Sequence, residues 1–313
     1  MVGKELVEGW AVLHKSGADE ATKLGKFEEM KKFMDSPANK GKSIDDLAKE
    51  VKDFGGYKEW VKYEKMGGLV RHKIDADLLD ELSKIEINAN NLDAIEAIIV
   101  KKKTDEIGFL FDKDGKLLAG PLTSQKGEKG VSIPFPDVAK QLETKFGINK
   151  DGLKGSTFTH NHPIDDMPLN AYKQDPDWKP GSFSLEDVEN AMNLQQNMVR
   201  ATTELGHTFI LKSKSGSLPS IRKEIRYAYG DWEKTLYDLS DEFMSKLVEG
   251  MVDPKYVNFQ LAKKLHVLAK KRANLANEGL FDLHQFVDHE IWQEVVKAFN
   301  KQGHQLVYQV IKK

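Results

Sequence analysis

Cysteine is absent from the 313 residues. This excludes disulfides and thiolate metal sites, so any bound metal must be held by His, Asp or Glu. The absence is compatible with a reducing compartment, and a cytoplasmic location is the expectation. Long apolar runs are missing too. No stretch approaches about 18 uninterrupted apolar residues, and Met1-Val2-Gly3-Lys4-Glu5 opens without the apolar core of a signal peptide. A soluble chain with no membrane partner is expected. Charge of one sign is also lacking: 47 basic and 49 acidic side chains leave a formal charge of −2. With no global field to attract polyanions, nucleic acid is not favoured as a partner. No Gly-rich phosphate loop, fixed-period repeat or low-complexity tract occurs.

A chain of this length can bury a substantial core in two or three units. Residues 1–95 read as a helical N-terminal module. Ser43-Ile44-Asp45-Asp46 has the form of a helix start, Leu47 and Val51 share a face, and Gly55-Gly56 and Gly67-Gly68 are breaks. Leu78, Leu79 and Leu82 mark another helix within 76–84. The texture changes after Lys101-Lys102-Lys103. Ile107, Phe109 and Phe111 alternate with their neighbours ahead of Asp114-Gly115, a strong hairpin signal, and a short strand is expected over 130–133. Pro136 opens a helix with Val138, Leu142 and Phe146 on one face and Gly147 as its stop. A strand over 156–160 runs into His160, residues 184–203 read as helical, and 207–211 as a last strand. Together these predict an α/β (α+β) domain over 96–215, with a central sheet flanked by helices. The remainder, 216–313, reads as a helical C-terminal module interrupted at Pro254, with a helix over 286–301. The helical flanks are candidate surfaces for protein partners. A basic cluster at Lys263, Lys264, Lys270, Lys271 and Arg272 reads as a solvated helix face.

His160-Asn161-His162-Pro163 carries the chemistry. Side chains alternate along a strand, so histidines two apart point to the same side. Two imidazoles with a carboxylate from a helix can hold zinc and leave one position for water. Ser184-Leu185-Glu186-Asp187 supplies such a carboxylate, and its Ser-x-x-Asp form is equally a capping box. Glu106, at the head of the first strand, is a carboxylate outside that set. His284 and His289, five apart, have a poor spacing for sharing a metal.

Glu106, then His160-x-His162-Pro163, then Ser184-x-x-Asp187 resembles, in this order, the signature of the JAMM (MPN-plus) metallopeptidase superfamily. The His-Asn-His-Pro form is most similar to bacterial RadC-like and phage-type members. The resemblance spans about residues 95–212, and it implies a JAMM-like sheet and a Zn²⁺ ion held by His160, His162 and Asp187, with water as fourth ligand. It implies Glu106 as general base and Ser184 as hydrogen-bond donor to the oxyanion, acting on a peptide or isopeptide bond of a protein or peptide substrate. Other members of the superfamily imply a non-catalytic binding or assembly module, a phage structural or effector component, or a nucleic-acid-associated role. One departure stands out. Residues 164–183 separate the proline from the serine, where the family has fewer than ten. Asp165 and Asp166 within this insert are alternative ligands to Asp187, and the insert's place at the rim suits a gating loop.

Overall fold

The computed structural model describes residues 31–32, 34–102, 105–127, 130–163, 182–204, 206–220, 267–268, 271, 281–301 and 303–312. Residues 164–181 of the insert, with Asp165 and Asp166, lie outside these residues, as do Pro254, Lys263, Lys264, Lys270 and Arg272.

Asp114-Gly115 turns the chain between β1 (Ile107–Phe111) and β2 (Leu117–Thr123), with Gly115 in the left-handed region at φ 83°. β3 (Gln125–Gly127) and β4 (Gly130–Ser132) make a small separate hairpin. β5 (Thr157–His162) lies antiparallel to β1, and β6 (Met198–Thr203) lies parallel to β5. β7 (His207–Ser213) and β8 (Leu306–Lys312) follow antiparallel, so the six-stranded mixed sheet has the order β2-β1-β5-β6-β7-β8.

Each face of the sheet has its own core. α1 (Ile44–Asp53) begins in a capping box between Ser43 and Asp46, and α2 (Tyr57–Met66) stops at the left-handed Gly67. α3 (Ala76–Leu82) and α4 (Leu92–Ile99) bury Leu78, Leu79, Leu82, Ile95 and Ile99 against Ile107, Phe109 and Phe111. The opposite face is covered by α5 (Phe135–Phe146), α7 (Leu185–Asn193) and α8 (Phe281–Lys301), with the one-turn α6 (Lys150–Leu153) leading into β5. Alternation along β1 separates the two cores: Ile107, Phe109 and Phe111 face one way and Leu110 the other. The result is an α/β fold with helices on both faces of an open sheet.

Two segments differ from the sequence expectation. Residues 184–203 are not one helix, because α7 ends at Asn193, Gln195 adopts φ 51°, and 198–203 form β6. β6 is buried on both faces, so it lacks the period-two alternation of a half-exposed strand. The C-terminal segment is not wholly helical either. The helix over 286–301 exists as part of α8, but Leu306–Lys312 return as the edge strand β8.

Candidate metal centre

The crossover between the parallel strands builds the site. β5 ends at His162, and α7 comes between it and its parallel neighbour β6 in the chain. Such a connection sets the N-terminus of its helix beside the carboxyl end of the first strand, where α/β sheets commonly bind ligands. Asp187 is the third residue of α7.

Register fixes the rest. Gly108 pairs with His160 across β1 and β5, so Glu106, two residues before Gly108, falls on the same face as both histidines. A Cβ on Gly108 would lie 2.7 Å from Ile133 Cδ1 and 2.8 Å from Phe158 Cζ. Glycine there lets both side chains fold over the strand. Phe158 in turn stacks on the His160 ring at 5.0 Å between centroids. Glu106, Ile133, Phe135, Phe158, His160, Ser184, Glu186, Asp187, Asn190 and Gln196 line one cleft.

The atoms of the proposed ligands converge. His160 Nε2 and His162 Nε2 are 2.9 Å apart, His160 Nε2 is 3.3 Å from Asp187 Oδ1, and His162 Nε2 is 3.4 Å from Asp187 Oδ2. In a tetrahedral zinc site with bonds of about 2.0–2.1 Å, neighbouring ligand atoms stand roughly 3.3–3.4 Å apart. Spacing and the mixed nitrogen and oxygen donor set both fit a small divalent cation, and these three side chains form a group able to hold a metal ion. His160 is 1% exposed, and its Nδ1 has no hydrogen-bond partner among the described residues. Packing on Phe158, rather than a bond to Nδ1, orients that ring.

Electrostatics divide the two carboxylates. Burial opposes ionisation of Asp187, but the His160 charge and hydrogen bond, joined by those of His162, outweigh it and hold this carboxyl well below the ordinary aspartate range. The helix N-terminus favours the anion as well. For Glu106, burial dominates and pushes the carboxyl above the ordinary glutamate value, against the pull of His162 and His160. Glu106 Oε2 accepts the Ile133 N–H at 3.2 Å.

Ser184 serves as the N-cap. Its Oγ accepts the Asp187 N–H at 3.2 Å, and its hydroxyl and backbone N–H both point to Asp187 Oδ2, at 2.9 and 2.8 Å. The capping box is therefore present, and the serine also orients the carboxylate. All five site residues read from the sequence thus come to one end of β5. His289 lies elsewhere, with Nδ1 2.9 Å from the Tyr308 hydroxyl and Nε2 3.0 Å from the Gln293 amide. Sequence reasoning passed over Phe158 and Gly108, whose roles depend on cross-strand register.

Comparison of the chain with protein-family models, curated proteins and solved structures finds no match in any of the three. Among the described residues, no helix is long and apolar enough to cross a membrane.

Proposed function

We propose that the protein is a zinc-dependent hydrolase of the JAMM type, cleaving a peptide or isopeptide bond in a protein or peptide. The observation that supports this most directly is the gathering of His160 Nε2, His162 Nε2 and the Asp187 carboxylate at 2.9–3.4 Å beside a separate, half-buried Glu106. Zinc held by those three side chains supplies a Lewis acid and lowers the pKa of a water it binds toward about 7. Glu106 takes a proton from the attacking water on a carboxylate oxygen and passes it to the departing amine nitrogen. A raised pKa suits a group that must both accept and return a proton near neutrality. Ser184 fixes Asp187 and lies in the cleft wall, where its hydroxyl can turn to a developing oxyanion. Phe135, Phe158 and Ile133, all buried, make one side of the cleft apolar.

Metal analysis with peptide hydrolysis tests this reading. Purified protein should carry about one zinc per chain, and His160→Ala or Asp187→Ala should lose it. Glu106→Gln should keep zinc and lose hydrolysis. Full activity in that variant removes Glu106 from the mechanism, while zinc binding without hydrolysis of any substrate leaves a metal-holding assembly module.

A further inference from the structure

We propose that Asn161, between the two histidines, is a positioning residue that locks Glu106 to the strand presenting the metal ligands. The inference rests on the hydrolase reading above. Neighbours on a strand face opposite ways, so Asn161 points away from the cleft, and it is 1% exposed. It meets the connection from α4 to β1. Its Oδ1 accepts the Ile107 N–H at 2.5 Å, and its Nδ2 donates to the carbonyls of Lys102 at 2.9 Å and Asp105 at 3.2 Å. Three of the four hydrogen bonds an amide side chain can make are thus made to one segment, on both sides of Glu106.

The backbone explains why a side chain is needed there. The residue pairing of β1 with β5 begins at Gly108 and His160, two residues beyond Glu106. On its other flank Glu106 is held by Ser124, whose Oγ accepts the Glu106 N–H at 3.1 Å and whose N–H donates to the Glu106 carbonyl at 3.0 Å. Asn161 supplies the matching restraint from β5. One strand therefore presents two metal-facing rings on one side and, between them, an amide that fixes the base from the other. Misplacing a reacting group by about 1 Å can cost roughly 100-fold in rate, so this restraint acts on turnover rather than on metal binding.

The Ile133 N–H, which donates to Glu106 Oε2, is a direct reporter. In ¹⁵N-labelled, zinc-loaded protein, Glu106→Gln should shift the Ile133 amide resonance. Asn161→Ala should shift it in the same sense, and the double variant should shift it no further than Glu106→Gln alone. Zinc content should stay at about one per chain throughout. With a tryptic peptide mixture as the hydrolysis probe, Asn161→Ala should lower kcat about 10- to 100-fold with KM little changed. Asn161→Asp keeps an acceptor for Ile107 and sets a negative charge against two carbonyls. It gives the same readout if the alanine variant does not fold. An unmoved Ile133 resonance in a folded Asn161 variant, or a kcat equal to that of the wild type, overturns the proposal. If zinc-loaded wild type cleaves no peptide, the hydrolase reading fails, and the Ile133 resonance alone decides the role of Asn161.

Discussion

Arg200 on β6 meets Glu96 on α4 through two charge-assisted hydrogen bonds, Nε to Oε1 at 2.5 Å and Nη2 to Oε2 at 2.9 Å. This pair lies on the sheet face opposite the histidines. Thr159, next to His160, donates to Glu96 Oε1 at 2.8 Å, and Thr208 donates to Oε2 at 3.4 Å. Glu96 is fully buried, so its carboxylate depends on these partners. Removing one member of a buried ion pair typically costs about 3–5 kcal/mol, because the other is left without compensation. Arg200→Met should show a loss of that size in urea unfolding. Converting Glu96→Leu in the same chain should restore part of it.

Zinc should stabilise the fold through the site. A ligand that binds only the folded chain adds roughly 4 kcal/mol when present at 1,000 times its Kd. Excess zinc should therefore raise the melting temperature of the wild type and leave His160→Ala and Asp187→Ala unchanged. An equal rise in all three would place the binding elsewhere.

Ser184→Ala should have two separable effects. Loss of the N-cap costs about 1 kcal/mol. Loss of the bond to Asp187 Oδ2 removes a partner that orients a ligand, a change that typically weakens metal binding 10- to 100-fold. Chelator competition measures the second effect apart from the first. Ser43→Ala, which breaks the matching box on α1, should reproduce the stability loss without the affinity loss.

The centre was legible because its signals are local. His160 and His162 alternate on one strand, and Ser184-x-x-Asp187 marks a helix start whichever role it plays. Gly147, Gly67 and Asp114-Gly115 likewise end their elements by chain chemistry alone. What the sequence hid is non-local. β6 is covered on both faces and carries no alternation, so the parallel crossover that brings Asp187 to His160 could not be read from 198–203. The partners of Asn161 are backbone groups more than fifty residues away, with no trace in composition or spacing.

His72 should make stability depend on pH below neutrality. Burial lowers its pKa from the usual histidine value, partly offset by Thr123. Its Nδ1 lies 3.1 Å from both the N–H and the carbonyl of Thr123, and as a neutral ring it accepts the N–H. The unfolded chain takes up a proton near pH 6.5 that the folded chain refuses until lower pH. The contribution is therefore complete above about pH 6.5 and declines as pH falls toward the lowered value. Urea midpoints at pH 7.5 and 5.5 should fall further apart in wild type than in His72→Gln.

Trp292 connects the C-terminal helix to the segment that carries Asp187. Its Nε1 donates to the Phe183 carbonyl at 2.8 Å, one residue before the cap of α7, and Phe183 is fully buried. Ser182 lies 2.8 Å from the Tyr308 hydroxyl on β8, which holds the same approach from the edge strand. The segment delivering Ser184 and Asp187 is thus anchored by residues over a hundred positions later. Trp292→Phe keeps most of the ring and orphans a buried carbonyl, a loss of about 1–3 kcal/mol. It should also weaken zinc binding by about tenfold, through a less fixed Asp187. Leu79→Ala, in the core on the opposite sheet face, should cost about 2–5 kcal/mol by opening a cavity and leave zinc affinity intact. If both variants weaken zinc binding in proportion to their lost stability, the anchor has no specific role. A loss confined to Trp292→Phe shows that the C-terminal helix and edge strand are part of the metal site.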